Sequence, residues 1–382
     1  MRLERIHVYK IRLPFKGDFS ISRVKGLSSE IIVVELMAAQ KGIRGYGEGV
    51  PVAFVTGETP DSAVEDVGRL IRSTAFPWEL DDVAQVWGFM DTLPPGKTHN
   101  TAICALETAL LDALGQYQGR SIVEYLPQHH LQDRVFYGGA LTLGDRGRIL
   151  DLCRLIKSLG LNRLRIKMGK DLEQNKAALE TVNSILGHGC ELRIDPNGVW
   201  DCDLAFKHLP LIEGHGVRVV EEPLERGAPG FADFARALIS RGVSLMACES
   251  APTLEDLEKI IHEGYYQMIN VKLCRSGGFR RALRIIDYIR EQGLSFQIGC
   301  TLGESGILSA AGRALCLVCG DAVNYDGSYD PFILEKNTTC HDVSFGYGGE
   351  AGPLEGTGLG VEVDPEALYA LGGAPALSVS RH

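Results

Sequence analysis

Eight short apolar segments recur along the second part of the chain at a spacing of about 25 residues, and amphipathic helical stretches alternate with them. The segments are 135–143, 163–169, 191–197, 218–224, 244–250, 267–273, 295–302 and 322–328. Buried strands that alternate with helices pair in parallel, and eight of them favour a closed barrel over an open sheet. No GxGxxG motif follows a first strand, which disfavours a dinucleotide-binding fold. The sequence therefore predicts an α/β protein with a (β/α)8-type barrel, modified from the regular form, over residues 126–344.

The first part of the chain has a different pattern. Residues 31–36 are typical of a buried strand, the segment GIRGYGEGVP is typical of a glycine-rich turn and strand, and residues 61–119 have helical spacing. The glycine-rich tail is strand-like and cannot extend the barrel. We therefore predict an α+β capping domain of residues 1–125, completed by about 345–382 of the tail.

Composition narrows the class of partner and the compartment. The net charge is −10 and no run of Lys or Arg stands out, so we expect no nucleic-acid partner. No run approaches the roughly 18 apolar residues of a membrane span, and the N-terminus lacks the apolar core of a signal peptide. Most of the ten cysteines lie in apolar stretches, which indicates reduced thiols in a cytoplasm. Cys316 and Cys319 form an isolated CxxC pair, and no second pair follows that would indicate zinc.

Charged residues stand at the predicted carboxyl ends of five consecutive barrel strands. In chain order they are Lys167, Asp195, Glu221, Glu249 and Lys272, at intervals of 28, 26, 28 and 23 residues. Each interval is about one βα unit, so these side chains meet at the end of the barrel where such enzymes carry their chemistry. Each residue alone is more often a helix cap or a solvated group. Five in succession indicate a site, because a buried charge cluster without a function costs several kcal/mol.

Clustered carboxylates between two lysines suit a hard divalent ion, Mg2+ or Mn2+. Removal of a proton alpha to a carboxylate creates an enediolate with two negative charges, which a bound metal and nearby cations stabilise. A lysine with a lowered pKa acts as the base in such chemistry. Alternation along the strand puts Arg165 on the same inward face as Lys167, where its charge would lower the pKa of the lysine.

The chain resembles the enolase superfamily, in its muconate-lactonizing-enzyme branch, over nearly its whole length. The motifs that carry the resemblance are GIRGYGEGVP, ALETALLDALGQYQGRS, RIKMG, DPNG, VEEPL, INVKLCRSGG, GCTLGESGI and GLGVEV. The resemblance implies a Mg2+-dependent enzyme in which Lys167 and Lys272 are acid/base residues on opposite faces of the substrate. It also implies Asp195 and Glu221 as metal ligands and Glu304 as an acidic residue near the substrate.

Two positions depart from the pattern of this branch. Arg165 stands where the branch has the first lysine of strand 2, and it keeps the positive charge but cannot share the proton transfer. We expect Arg165, like Asn197 of the DPNG motif, to support catalysis. Strand 5 usually ends in Asp-Glu-Ser, whereas here it ends in Cys248-Glu249-Ser250. Cys248 falls on the ligand position, but a thiolate suits Mg2+ poorly. We therefore expect Glu249 to be the third ligand, the alternative being two protein carboxylates plus water.

The strand-8 segment resembles that of dipeptide epimerases, which hold a substrate ammonium group with an Asp-x-Asp segment. The matching residues here are Asn324 and Asp326. The loop PFKGDFSISRVKG resembles the specificity loop of those enzymes, and Arg23 or Lys25 in it is predicted to meet an acidic side chain of the substrate. A solvated loop is the alternative for both segments.

We therefore expect a cytoplasmic homo-oligomer that racemises or epimerises a dipeptide or an amino-acid derivative, which is a small-molecule carboxylate. The absence of His at strands 6 to 8 disfavours the Lys/His arrangement of the mandelate-racemase branch. An o-succinylbenzoate-synthase-like dehydration and a muconate-type cycloisomerisation stay open, because in these reactions one lysine only stabilises charge. A barrel that has lost catalysis and only binds a ligand is the alternative of another class, since Cys248 departs from the ligand pattern.

Overall fold

The computed structural model describes residues 1–17 and 26–381. The strands are β1 (Leu3–Pro14), β2 (Ser28–Ala38), β3 (Arg44–Gly49), β4 (Val135–Phe136), β5 (Gly139–Leu141), β6 (Arg163–Lys167), β7 (Glu191–Asp195), β8 (Val217–Glu221), β9 (Ser244–Ala247), β10 (Met268–Lys272), β11 (Ser295–Gly299), β12 (Asn324–Tyr325), β13 (Glu350–Ala351) and β14 (Leu377–Ser380). The α-helices are α1 (Ala53–Thr56), α2 (Pro60–Ile71), α3 (Val83–Asp91), α4 (Asn100–Gln118), α5 (Arg146–Ser158), α6 (Leu172–Leu186), α7 (Cys202–Gly214), α8 (Phe231–Ile239), α9 (Leu254–Glu263), α10 (Leu273–Ser276), α11 (Phe279–Glu291), α12 (Gly306–Val318), α13 (Asp330–Ile333) and α14 (Pro365–Gly372), and short 3-10 helices span Ile122–Tyr125 and Tyr347–Gly349. Among the described residues, no helix combines the length and the apolar character that a membrane crossing needs.

An antiparallel sheet with the order β14-β1-β2-β3 forms the cap. Helix α4 lies against β3, and its close approach depends on the glycines of that strand. A Cβ atom at Gly45, Gly47 or Gly49 would come within 2.3, 2.0 and 2.5 Å of backbone oxygens of α4. Because β14 comes from the end of the chain, the tail does return to the first strand, as the sequence predicts. The domain boundaries themselves stay a prediction.

Eight parallel strands form the second sheet, in the order β12-β11-β10-β9-β8-β7-β6-β5. A bridge between Tyr137 and Tyr325 joins its two edges, supported by a 2.9 Å hydrogen bond from the Gly138 amide to the Tyr325 carbonyl. The predicted (β/α)8-type barrel with an α+β cap is therefore confirmed. The first predicted strand, 135–143, is divided in the structure, because β4 pairs with β13 of the tail and only β5 joins the barrel.

The helices around the barrel leave one gap, because the last barrel strand is not followed by a full-length helix. Strand β12 is followed only by α13, which has four residues, whereas α5, after β5, has thirteen. Helix α5 packs against α6 on one side. Leu152 and Leu155 of α5 and Leu159 just after it lie at helical spacing; Leu155 is exposed, and Leu152 and Leu159 are only partly buried.

Candidate active site

The interior of the barrel contains both apolar and polar side chains. Val219, Met246 and Met268 form a small buried apolar cluster. Arg193, which pairs in register with Val219, is hydrogen-bonded to Gln297, and both side chains are fully buried. A polar interior is stable only where its groups are paired, so the contacts of each charge at the strand ends decide what the site can do.

Lys167, at the end of β6, is held by residues that follow the next strand. Its ammonium group donates hydrogen bonds to Asp195 Oδ2 and, at 3.0 Å, to Asn197 Oδ1. Asn197 continues the network by donating from Nδ2 to Glu249 Oε1 at 2.9 Å. The sequence-predicted Lys167, Asp195, Asn197 and Glu249 are therefore brought together.

Glu221 lies beneath the same network, fully buried. Arg165 Nη1 is 3.6 Å from Glu221 Oε2, and Asn270 Nδ2 donates to Glu221 Oε1 at 2.7 Å. Burial raises the pKa of Glu221, but the charges of Arg165 and Lys167 lower it further, so the pKa lies below its ordinary value. Burial and the neighbouring Glu221 instead raise the pKa of Asp195 to about 6, against the attraction of Lys167. The site therefore keeps Glu221 ionised.

Lys272 and Lys167 line one cavity of about 760 Å³ together with Arg165, Asn197, Glu249 and Glu304. Burial lowers the pKa of Lys272, but Cys248 and Glu249 offset this, and the pKa lies above its ordinary value. Glu304 accepts a 3.0 Å hydrogen bond from the Thr301 amide, and burial raises its pKa to about 8. Asp195 and Glu221 do not line the cavity, because their side chains lie behind the cations.

Cys248 and Glu249 follow directly after β9, and only one of their side chains faces the cavity. Cys248 is fully buried, and its sulfur accepts hydrogen bonds from Arg275 Nη1 at 2.8 Å and Asn270 Nδ2 at 3.6 Å. Glu249 lines the cavity, whereas Cys248 does not. The structure thus brings both candidates for the third ligand position to the site, and exposes the carboxylate rather than the thiol to the cavity.

Glu222 anchors this turn. Its carboxylate accepts hydrogen bonds from the amides of Cys248 (2.6 Å) and Ser250 (2.8 Å) and from the Ser250 hydroxyl (2.9 Å). Glu222 has a φ of 41° and Asn197 a φ of 53°, and both belong to the three non-glycine residues with positive φ in the described part of the chain. Backbone strain of this kind persists where surrounding contacts hold it, often at functional sites. Both of these residues hold groups of the site in place, since Asn197 bonds Lys167 and Glu222 bonds the 248–250 turn.

The two residues predicted to bind a substrate ammonium group lie elsewhere. Asp326 is buried and receives 2.9 Å and 3.4 Å hydrogen bonds from Arg193, and its Oδ2 atom is 3.5 Å from Arg165 Nε. Asn324 is also buried, and neither residue lines the large cavity. A direct contact of either with substrate stays a prediction, as do the roles of Arg23 and Lys25, which lie outside the described residues.

Reasoning from the sequence does not single out three residues of the candidate site or its surroundings. Arg193 neutralises Asp326, Arg275 lines the cavity and pairs with Cys248, and Glu222 anchors the end of β9. Arg193 has a signal in retrospect, because it stands two residues before Asp195 and alternation puts both on the inward face. Nothing in the chain order predicts the partners of Arg275 and Glu222, since these lie on other strands.

A family model described as "Enolase C-terminal domain-like" matches residues 148–367. The chain is 26% identical over 387 residues to a hydrophobic dipeptide epimerase from Enterococcus faecalis, with 100% of both proteins covered. It is 26% identical over 309 residues to a chloromuconate cycloisomerase from Cupriavidus pinatubonensis, covering 80% of this chain and 82% of that relative. A dipeptide epimerase from Cytophaga hutchinsonii, solved with Mg and the dipeptide D-Ala-L-Val, is similar in structure with a TM-score of 0.82, 24% identity and 99% of both chains covered.

The burial of the Arg193–Asp326 pair leads to a stability prediction. Replacement of Arg193 by Ala leaves Asp326 with only the more distant Arg165, and removing one partner of a buried pair costs about 3–5 kcal/mol. We expect the free energy of unfolding, measured by urea denaturation, to fall by that order. Arg218→Ala is the matched control, because Arg218 lies on the neighbouring β8 but is exposed. An equal effect of the two substitutions would contradict a structural role for the buried pair.

Proposed function

The chain belongs to the enolase C-terminal domain-like family, and we propose that it is a metal-dependent isomerase that racemises or epimerises a dipeptide or another amino-acid derivative. The observation that carries this proposal is the shared cavity of Lys167 and Lys272, with the carboxylates of Asp195 and Glu221 behind it and that of Glu249 on its wall. A reaction that moves a proton from one face of a carbon to the other needs two such groups and a means to hold negative charge.

The two lysines have different surroundings, and each suits one proton position. Lys167 is oriented by Asp195 and Asn197, which fix its ammonium group at the cavity wall. Lys272 ends β10 and reaches the same cavity from four strands further around the sheet. We propose that one lysine takes the proton on the alpha carbon of the substrate and that the other returns a proton to the opposite face.

The carboxylates fit a hard divalent cation by their chemistry. Glu221 Oε2 and Glu249 Oε2 are buried and have no hydrogen-bond partner, which is costly unless another group uses them. Within residues 1–17 and 26–381, no three His, Cys, Asp or Glu side chains form a closed metal-binding group. Lys167 pairs with Asp195 and Arg165 lies beside Glu221, so a bound cation would displace these two contacts. We propose that Asp195, Glu221 and Glu249 hold Mg2+, or Mn2+, which when bound supplies positive charge next to the substrate carboxylate.

The remaining groups around the cavity set its charge. Arg165 and Arg275 line it and keep positive charge at the end where the lysines lie, which favours a carboxylate there. Glu304, whose pKa burial raises to about 8, carries a proton at neutral pH and can donate a hydrogen bond. We propose that these three side chains orient the carboxylate and do not themselves move the alpha proton.

The similarity to a chloromuconate cycloisomerase supports a second candidate, a muconate-type cycloisomerisation at the same residues. An o-succinylbenzoate-synthase-like dehydration and a binding-only barrel stay as further alternatives. The cysteines of the chain are all free thiols, which supports the cytoplasmic location that we propose, and the homo-oligomeric state is likewise a proposal.

The proposed function is tested by metal-dependent exchange of a substrate alpha proton. With a library of dipeptides and N-acyl amino acids in D2O, we expect deuterium to enter the alpha position only when Mg2+ or Mn2+ is present. Exhaustive chelation should abolish the exchange and added metal should restore it. Undiminished turnover after chelation would contradict the metal assignment, and binding without exchange for every member would favour a binding-only barrel.

The third metal ligand is tested by two neighbouring substitutions. Glu249→Gln removes a carboxylate whose Oε2 atom has no partner, so we expect it to weaken Mn2+ binding, measured by calorimetry, far more than Cys248→Ser. Cys248→Ser is the matched control, since it keeps the size of a side chain that lies one residue away. The reverse order of effects would assign the ligand position to Cys248.

The two lysines are tested by following exchange separately for each stereoisomer. Lys167→Ala should stop the interconversion and leave exchange of one isomer, because Lys272 still reaches its face, and Lys272→Ala should leave exchange of the other. Loss of a positioned acid or base costs roughly 10²–10⁴-fold in rate, so mass spectrometry of the separated isomers detects the asymmetry. A cycloisomerase or dehydratase would lack the mirror-image pattern, and identical patterns in both variants would rule out a two-face arrangement.

A further inference from the structure

The loop that follows Lys167 is held from behind the cavity by a buried amide side chain. Gly169 lies two residues after Lys167, and Asn175 of α6 bonds both polar groups of its backbone. Asn175 Oδ1 accepts a 2.9 Å hydrogen bond from the Gly169 amide, and Asn175 Nδ2 donates a 2.9 Å hydrogen bond to the Gly169 carbonyl. Because one end of the amide accepts and the other donates, these two bonds fix both the direction of Asn175 and the backbone at Gly169.

A tryptophan joins this loop to the next one around the barrel. Trp200 follows Asn197 by three residues, and its indole Nε1 donates a 2.8 Å hydrogen bond to the same Gly169 carbonyl. The loop after β6 begins at Lys167, whereas the loop after β7 contains Asn197, whose Oδ1 atom lies 3.0 Å from the ammonium group of Lys167. Trp200 therefore connects the two loops whose relative position sets the distance between Lys167 and Asn197.

His208 of α7 supports both of these side chains. Its ring is stacked on that of Trp200, with 3.8 Å between the ring centroids, and its Nε2 atom lies 2.9 Å from Asn175 Nδ2. His208 Nδ1 lies 2.7 Å from the Leu204 carbonyl, which can only accept a hydrogen bond. The neutral ring therefore carries its proton on Nδ1 and accepts from Asn175 at Nε2. We call Asn175, Trp200 and His208 the loop clamp.

The loop clamp lies inside the protein and outside the cavity. Asn175 is 2% exposed, Trp200 3% and His208 not at all, and none of the three lines the cavity. Burial of polar groups costs free energy unless they are hydrogen-bonded, so apolar side chains would fill this space at a lower cost. The bonds of Asn175 and Trp200 instead converge on one carbonyl in the loop after β6. This convergence indicates that the three side chains place the loop rather than only fill the interior.

We propose that the loop clamp positions Lys167 for proton transfer, by fixing the loop after β6 against the loop after β7 so that the ammonium group stays on Asp195 and Asn197. This inference rests on the proposed function, because only that function gives Lys167 a proton to move. Lys272 ends β10, four strands from β6 in the sheet, so other contacts of the barrel set its position. Loosening of the loop clamp should therefore impair one lysine and spare the other.

Alpha-proton exchange measured separately for each stereoisomer tests this asymmetry. Asn175→Ala removes every bond of the amide, and the milder Trp200→Phe keeps an aromatic ring in the stack but removes the N–H donor. Misplacement of a reacting group by about 1 Å can cost about 10²-fold in rate, so we expect a fall of roughly 10- to 100-fold in the exchange that depends on Lys167. Exchange of the isomer served by Lys272 should stay unchanged, as followed by mass spectrometry in D2O with Mg2+.

The chain offers a matched control on the same helix. Asn183 lies further along α6, and its Nδ2 atom is 2.8 Å from Nδ1 of His215, so it forms the same kind of pair but bonds His215 rather than Gly169. Asn183→Ala should leave exchange of both isomers unchanged. Equal losses at both faces in the Asn175 and Trp200 variants would show that these side chains only stabilise the fold, and would overturn the positioning role.

A second measurement does not depend on the reaction. Acetic anhydride acetylates accessible amines, and both lysines line the same cavity, so peptide mass spectrometry compares them within one molecule. Either clamp variant should release Lys167 from Asp195 and Asn197 and raise its acetylation severalfold relative to Lys272. Absence of this selective rise would overturn the loop clamp, whatever the activity. A selective rise in a protein that exchanges no alpha proton, even before substitution, would support the loop clamp and overturn the proposed function.

Discussion

Charged side chains that are buried inside one barrel have to neutralise one another. This constraint determines how the side chains at the carboxyl ends of the barrel strands are arranged. Arg193 is fully buried and pairs with Asp326, whereas Arg165 lies between Asp326 and Glu221. Lys167 then pairs with Asp195 at the next level. Because each of these ions would cost several kcal/mol if it were unpaired, none can be removed without a change in its neighbour. The network therefore acts as a structural scaffold for the charged end of the cavity.

The same pairing decides which groups are available to a ligand. Asp326 is paired with Arg193 and Arg165 and does not line the large cavity. Lys272 and Glu249 do line it. Glu221 Oε2 and Glu249 Oε2 lack hydrogen-bond partners, and Glu221 Oε2 lies 3.6 Å from Arg165 Nη1. The end of the cavity lined by the lysines and arginines favours a negatively charged group. The part lined by α5 is apolar.

The cap contributes by packing close to the barrel. The glycines of β3 let α4 approach within van der Waals contact, and α4 in turn packs against α10 and α11 beside the Lys272 strand end. Asn100 at the start of α4 donates a hydrogen bond to the Arg275 carbonyl at 2.6 Å. The cap therefore contacts the segment that carries Lys272 and Arg275 directly. This contact joins the cap to the barrel beside the candidate site.

The sequence by itself determined the eight-strand repeat, the capping module and the charged strand ends, because strand period and the spacing of βα units are properties of local order along the chain. It also placed Lys167, Asp195 and Glu249 in one site, since parallel strands end at the same rim. Only the tertiary structure decided that Arg193 neutralises Asp326 and that one side of α5 lies open. These outcomes depend on which side chains meet across the barrel and on how much helix follows the last strand. The spacing of residues along the sequence predicts neither.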